Sequence, residues 1–541
     1  MPLQKTPLIH LSVLVTTCLA LFFSFLGLRD IWDIDEGMHA AIAQTMVLSG
    51  DWVTPIFNGE PFFDKPALFN WLNAISFLFF GFTETAARLP AATAGLGCVL
   101  LTWQLGRKLY GEWTGFLSGL ILATSLEFTI LSRVVQYDIS FTFFTTLALF
   151  FLASGVFDQR QRSKYFLGFY VAASLATLTK GPIGLLLPGL AVGLFVIVTR
   201  RTELLRQMRI LPGAVIFLAI VSPWFIMMEQ ANNGYLDYFI VKQHFGNFFG
   251  GEGALKPRHP EPFYYYLPVL LAGLLPWSAM LPQSMMRGLR ADRDHAQGVS
   301  LFLVLWILAI FLFFSAATSK LSTYLLPVFP AAALLMARYL VEFIKTPTER
   351  GRRGLLIGIV CWLVPIMLVA AYAIPNDPWT YWNHRAGVVW VEFEIFVAIF
   401  SLMLLVSFVL LLLRRYAAAI GSLAATAPVL SFFILLLMVP DVNPYKGSKE
   451  IGLQMDYMLG DKQKIPMYGQ MLDSTLFYTG RDAQMIHGKE DLDRYLDSPN
   501  RRFVLMRSRA RSEADTFKGD YYVILRVGNK AIVSNQPPDF H

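Results

Sequence analysis

Charge is scarce in this chain: Lys, Arg, Asp and Glu together make up 15% of 541 residues, against 55% hydrophobic. A soluble domain carries about a quarter charged residues, so a soluble fold throughout is excluded and lipid is needed as part of the solvent. Cysteine is scarcer still. Cys18, Cys98 and Cys361 each lie inside a hydrophobic segment without CxxC spacing, which excludes a disulfide framework and a thiolate metal centre and leaves them as packing residues. Internal repeats and low-complexity tracts are missing, so a solenoid or a disordered tether is not the plan. The net charge of +7 does not point to nucleic acid, because the surplus Lys and Arg sit in loops between apolar stretches, where membrane topology demands them. Residues 10–28 lack a small-residue cleavage pattern and read as a retained first span.

What the chain does have is a ladder of hydrophobic stretches separated by basic clusters. Arg107-Lys108, Arg160 to Lys164, Arg200-Arg201 with Arg206 and Arg209, Arg287 to Arg293, Lys345 to Arg353, and Arg414-Arg415 belong on the cytoplasmic side. Hydropathy alone marks about fourteen stretches, and these alternate correctly only if 66–82 lies in the interface instead of crossing. An all-α polytopic domain with about thirteen spans follows. They fall at roughly 9–28, 87–107, 112–131, 138–156, 164–180, 182–199, 210–229, 264–284, 299–317, 321–343, 354–374, 392–413 and 417–439. The amino terminus is then inside and the carboxyl terminus outside.

This topology, built without them, sends Asp35, Glu36, Asp64, Lys65, Arg133, Asp138, Lys242, His244, Arg258 and Lys320 to the outer face. Any one alone reads as an ordinary loop charge. Their convergence at span ends reads as a site, since an ionised group beside hydrocarbon is costly and is normally there for a reason. The outer segment 29–86 holds Trp32-Asp33-Ile34-Asp35-Glu36, a helix-like run from Gly37 to Ser49, and Asp64-Lys65-Pro66, whose proline is expected to open an interfacial helix. The outer segment 230–263 holds Tyr238 to His244 and a glycine-rich stretch, Gly246 to Gly253, then Lys256, Arg258 and His259; it is expected to be a lid or binding loop, with a flexible tether as the alternative.

Past about Val439 the composition becomes that of a soluble domain, so the chain divides at 1–440 and 441–541. Lys464 to Tyr468, Arg502 to Met506 and Tyr521 to Leu525 read as strands, Lys489 to Leu496 as a helix, and Tyr521 to Ser534 as a hairpin turning at Gly528-Asn529. A small outer α/β domain without catalytic spacing is expected.

Groups of these kinds at headgroup depth suit a polyprenyl-phosphate sugar donor, whose leaving group is a lipid phosphate that cationic side chains must neutralise. Lys65 is the first candidate for that phosphate, with Lys320 and Tyr324 from a later span end. A carboxylate is wanted near the sugar carbon, as a base for a hydroxyl acceptor or to steady oxocarbenium-like charge, and Asp35 and Asp138 are the candidates, with Glu36 beside the first.

The strings Asp35-Glu36, Gly50 to Pro55, Asn58 to Pro61, Asp64-Lys65-Pro66 and Ala87 to Pro90 resemble the amino-terminal signature of the GT-C membrane glycosyltransferases. Lys180-Gly181-Pro182, Tyr264 to Pro268, Leu275 to Ser278 and Lys320 to Pro327 are similar to the bacterial branch that contains the aminoarabinose transferase of lipid A and the protein O-mannosyltransferases. The resemblance implies interfacial helices in the first outer loop, an outer soluble domain, Asp35 and Asp138 as the essential carboxylates, and Lys65 and Tyr324 as donor-phosphate ligands. It also implies a place for a divalent metal, zinc or magnesium, at Asp64 and His244, although two protein ligands make an incomplete zinc site.

One departure stands out. The family continues its acidic pair with a small residue, an arginine and a tyrosine, whereas this chain has Gly37-Met38-His39. His39 and Arg258 are the candidates to take the arginine's place, and Tyr137, next to Asp138, is a further substrate contact. The resemblance implies an inverting transferase in the bacterial inner membrane with its site on the periplasmic side, taking a sugar from undecaprenyl phosphate to lipid A or another cell-envelope acceptor. Aminoarabinose is the leading sugar; galacturonic acid, a hexose or mannose, to lipopolysaccharide or protein, is the alternative. A lipid-linked sugar transporter is the reading from another class, but it would place its charges near the bilayer midplane.

Overall fold

The computed structural model describes residues 6–246, 259–294, 298–376, 390–460, 463–507 and 521–538. Its amino-terminal half runs α1 (Thr6–Cys18), α2 (Asp35–Ser49), α3 (Leu68–Phe80), α4 (Glu84–Tyr110), α5 (Glu112–Ala123), α6 (Leu126–Leu131), α7 (Tyr137–Phe157), α8 (Arg162–Lys180) and α9 (Ile183–Thr199). Thr83 caps α4 by accepting from the Ala86 amide at 3.1 Å, and Arg107 and Lys108 in its last turn complement the negative end of the helix.

Among the described residues eight helices are long and apolar enough to cross a membrane, or nine if the bent pair Phe263–Gly273 and Ser278–Arg290 is one span. The chain is a multi-span membrane protein. On the helix Ile210–Ala231, Leu211, Val215, Leu218 and Ile226 remain exposed, as side chains that face lipid do.

Several expected spans are shorter or broken. That at 9–28 holds α1, which continues without a break into a π-helical turn at Leu19–Phe23, and that at 182–199 holds α9, of 17 residues. The span expected at 112–131 splits into α5 and α6 at Thr124-Ser125, and that at 264–284 bends by 114°. The two breaks interlock. Leu126 N donates to the Leu275 carbonyl at 3.0 Å and Trp277 Nε1 to Thr124 Oγ1 at 3.0 Å. The hydroxyls of Thr124, Ser125 and Thr129 bond back to the carbonyls of Leu120, Ile121 and Ala123 at 2.7, 2.7 and 2.9 Å. Irregular backbone is tolerated at membrane depth when protein satisfies it in this way.

In the long first loop, residues 29–86, α2 begins at Asp35, two residues earlier than its apolar pattern suggests. The helix after Pro66 begins at Leu68, so the proline precedes the helix instead of occupying its first turn. With 13 residues, about 20 Å, α3 is too short for a hydrocarbon layer of about 30 Å.

Between α2 and α3 lies a short antiparallel ribbon, β1 (Ile56–Phe57) and β2 (Glu60–Pro61). The carboxyl-terminal part carries the strands β3 (Ile465–Tyr468), β4 (Ala483–Ile486), β5 (Phe503–Arg507), β6 (Tyr522–Val527) and β7 (Lys530–Ser534), which form one sheet in the order β4-β3-β5-β7-β6. The β3 pairings are parallel, and β5–β7 and β6–β7 antiparallel. The helices Lys449–Leu459 and Asp473–Thr479 and the strand β4 were not expected from the sequence; Lys489–Leu496 was. One hydrophobic core fills the helical bundle. A second joins Ala40, Ala43, Ala67 and Phe77 of the long first loop to Ile451, Ile465, Leu476, Phe477 and Ile532 of the sheet domain.

Candidate active site

The site is assembled where three elements end: the start of α2, the start of α7 and the end of α8. Asp35 is the first residue of α2 and lies exposed, while Glu36 beside it is buried. Water excluded on its protein side, and then the like charge of Asp138, hold the Asp35 carboxyl above the usual carboxylate range, against a lowering by His259.

Glu36 is committed to the protein. Its carboxylate accepts from Arg29 Nη2 at 2.8 Å, Arg88 Nε at 3.1 Å and Nη2 at 3.0 Å, and the amides of Trp32 and Val135 at 3.1 and 3.0 Å. Burial alone would raise its pKa, but the two guanidiniums outweigh that and hold it at about 2. Arg88 also donates to the carbonyls of Leu26, Arg29 and Asp30, tying the chain's exit from the bundle to α4.

Tyr137 and Asp138 open α7, and Lys180 closes α8. Lys180 and Asp138 form a buried ion pair. The Lys180 ammonium also sits 4.0 Å from the ring centre of Tyr324 and 5.2 Å from that of Tyr137, and Lys65 Nζ lies 5.6 Å from the Tyr137 ring. On the same ring, His39 packs edge-on with centroids 5.3 Å apart. Lys65, Lys180, His39, Asp138 and Tyr324 therefore gather around Tyr137, with the charge of Asp35 felt there.

Asp64 accepts from the Tyr238 hydroxyl at 3.0 Å, and its charge, with those of Lys65 and Asp138, reaches His39. His39 is fully buried with Asn70 as a polar neighbour, and burial, assisted by Lys65, brings its pKa down to about 4. The imidazole is neutral at pH 7, so it brings hydrogen-bonding capacity but no positive charge to the site. Among the described residues, neither ring nitrogen, nor Asp138 Oδ2, meets a hydrogen-bond partner.

Lys320 stands apart from this group: its ammonium donates to the carbonyls of Ala317 and, at 2.8 Å, Glu261, and its amide to the His259 carbonyl at 2.9 Å. It holds the strand-like segment 259–261, which carries His259 toward Asp35. Arg258 and the side chain of His244 lie outside the described residues, as does the glycine-rich stretch 247–253. No group of three or more His, Cys, Asp or Glu that could hold a metal ion occurs among the described residues. Asp64 thus brings one carboxylate, an incomplete ligand set. Lys180 is the residue that sequence reasoning left out of the site. Its signal was present, a lone lysine at the end of an apolar span, where a charge is expensive.

A helical bundle whose irregular loops bring carboxylates and ammoniums together beside a small sheet domain is the architecture of a GT-C membrane glycosyltransferase. A family model described as dolichyl-phosphate-mannose-protein mannosyltransferase matches residues 64–227. Undecaprenyl phosphate-alpha-4-amino-4-deoxy-L-arabinose arabinosyl transferases are similar over much more of the chain: that of Aeromonas hydrophila is 32% identical over 391 residues, 70% of this chain and 69% of its own. That of Pseudomonas aeruginosa is 30% identical over 450 residues, 79% and 76% of the two chains. The chain belongs to this arabinosyl transferase family. The fold agrees: the crystal structure of ArnT from Cupriavidus metallidurans bound to undecaprenyl phosphate superposes with a TM-score of 0.80 at 24% identity, covering 97% of this chain and 98% of that one.

Proposed function

We propose that this enzyme transfers 4-amino-4-deoxy-L-arabinose from undecaprenyl phosphate to a phosphate of lipid A, with inversion, on the periplasmic face of the bacterial inner membrane. The observation that carries the reading is the gathering of Lys65, Lys180 and Tyr324 about Tyr137 beside Asp138 and Asp35. In this reading Lys65 and Tyr324 hold the donor phosphate, and Lys180, already paired with Asp138, adds positive charge as the glycosidic bond breaks and the lipid phosphate leaves. The acceptor phosphate is anionic at neutral pH, its second pKa being about 6, so no strong base is required. Asp35 then orients the sugar and steadies the oxocarbenium-like charge. Glu36 serves by holding Asp35 in place through Arg29 and Arg88, and Tyr137 and His39 line the sugar's pocket.

Asp64 with His244 is proposed as the seat of a divalent ion. Metal content of the purified chain, measured before and after Asp64→Ala, tests that seat. The reaction is tested by incubating the enzyme with a panel of undecaprenyl-phosphate sugars and lipid A and reading products by mass spectrometry. Aminoarabinose-modified lipid A is expected; a product only with galacturonic acid, a hexose or mannose, or only on protein, overturns the sugar or the acceptor.

A further inference from the structure

The most heavily bonded contact between the sheet domain and the long first loop involves Asp33, two residues before Asp35. Its side chain is fully buried. Oδ1 accepts from Ser474 N at 2.8 Å and Ser474 Oγ at 2.7 Å; Oδ2 accepts from Ser448 Oγ at 2.7 Å and, more weakly, Arg507 Nη2 at 3.4 Å. One carboxylate thus ties together three separate parts of the sheet domain: the start of the helix Lys449–Leu459, the helix Asp473–Thr479 and the end of β5. Its own amide donates to the Lys446 carbonyl at 3.0 Å, and Trp32 Nε1 to Asn443 Oδ1 at 2.9 Å.

Gly37 shows how close the two parts come. A Cβ there would lie 2.3 Å from Ser474 N and 2.7 Å from Asp473 C, both backbone atoms that cannot give way as a side chain tip would. Stacked Phe77 and Phe477, with centroids 5.7 Å apart, and the Lys449–Glu84 pair at 2.7 Å extend the same contact. On the other side of Asp35, Glu36 is fastened to the bundle through Arg29, Arg88 and Val135. The exposed carboxylate therefore stands between two fixed neighbours, one held by the bundle and one by the sheet domain.

We propose that Asp33 is a positioning residue, through which the carboxyl-terminal domain sets where the Asp35 carboxylate stands in the site. This rests on the proposed transferase reading, in which Asp35 meets the sugar. The domain is then part of the active-site framework, and loosening its grip misplaces Asp35 without removing any group that binds the lipid donor. Misplacement on the ångström scale costs about 10²-fold in rate.

The test uses the full-length chain in lipid nanodiscs, with Asp33→Ala, Ser474→Ala, the double variant, and Asp33→Asn, which keeps the oxygen that accepts from Ser474. Steady-state rates are read with KM for the lipid donor, and hydrogen exchange is followed at the amides of residues 35–38. The expectation is a fall in kcat of about 10²-fold for Asp33→Ala, with donor KM within about threefold, partial recovery in Asp33→Asn, and a double variant no slower than Asp33→Ala, because two ends of one interaction do not add. Loss of exchange protection at 35–38 in both single variants is expected with it. Full turnover in folded Asp33→Ala, additive losses, or unchanged exchange would overturn the proposal. Should Asp33→Ala not fold, Ser474→Ala, wholly within the sheet domain, decides by the same readouts. The exchange measurement needs no turnover, so an unmodified chain that transfers no sugar refutes the transferase reading and leaves the positioning claim to be decided by exchange.

Discussion

Lys180, the last residue of α8, and Asp138, in the first turn of α7, form a buried ion pair, and the same ammonium lies 4.0 Å from the ring of Tyr324. α7 and α8 thus meet at a buried charged junction, next to the Tyr137 ring on which Lys65 also rests. Removing one partner leaves the other charge buried and alone, at a cost of about 3–5 kcal/mol. Lys180→Ala is expected to lower the thermal midpoint and abolish transfer. The paired change Asp138→Asn with Lys180→Met is expected to restore the midpoint but not turnover. Recovery of turnover in the paired variant, measured by product mass spectrometry, would show that the junction is structural only.

Asp35 and Lys65 carry the opposite expectation. Asp35 is exposed and Lys65 half-buried, so truncating either opens no large cavity and strands no buried charge. Asp35→Ala and Lys65→Ala are each expected to cut transfer by about 10²-fold or more, the loss seen when one electrostatic contact to a transition state is removed. Size-exclusion profiles and thermal midpoints should match the parent. If both variants keep turning over, the site assignment is wrong.

Glu36 is the acidic neighbour whose loss should unfold the loop. Glu36→Gln leaves Arg29 and Arg88, both buried, short of their counter-charge, and about 3–5 kcal/mol of stability should go with it. The sign with pH follows from a folded pKa of about 2 against about 4.3 in the unfolded chain. Its contribution is fully present above about pH 4.3 and disappears as pH falls toward 2. Acid titration of the parent, followed by tryptophan fluorescence, should show this transition, and Glu36→Gln should lack it. An equally stable Glu36→Gln protein would mean that Arg29 and Arg88 do not depend on Glu36 for their counter-charge.

Much of this was legible beforehand because the signals were local. Apolar runs and basic clusters marked the membrane-spanning helices, and Asp35, Lys65, Asp138 and Tyr324 stood in strings with a recognisable family pattern. The breaks at Thr124-Ser125 and at 274–277 were not legible, because they depend on Leu126 bonding to Leu275 and Trp277 to Thr124, partners about 150 residues apart in sequence. Glu36 read as a catalytic candidate from its position beside Asp35, whereas its burial is decided by Arg88, 52 residues on. Asp33 stood in the same acidic string as Asp35 and Glu36, but nothing local marked it for a role of its own. Its importance arises from Ser448, Ser474 and Arg507, more than four hundred residues later.

Asp473 gives the clearest pH signature outside the membrane. It opens the helix that Asp33 holds, and burial, then the charges of Asp33 and Asp35, raise its carboxyl to about 8 despite Arg507. In the unfolded chain it releases its proton near 3.9. Between these values the folded protein keeps a proton that the unfolded chain has lost, so this group makes stability fall as pH rises from about 4 to 8. Asp473→Asn removes the titration while keeping the size and polarity of the side chain. The variant is expected to be more stable than the parent at pH 8, by several degrees in thermal midpoint, and to differ little from it near pH 4. Parallel midpoint curves for the two proteins across pH 5 to 8 would mean that Asp473 is ionised in the folded state, and that the contact of Asp33 with Ser474 tolerates a second carboxylate beside it.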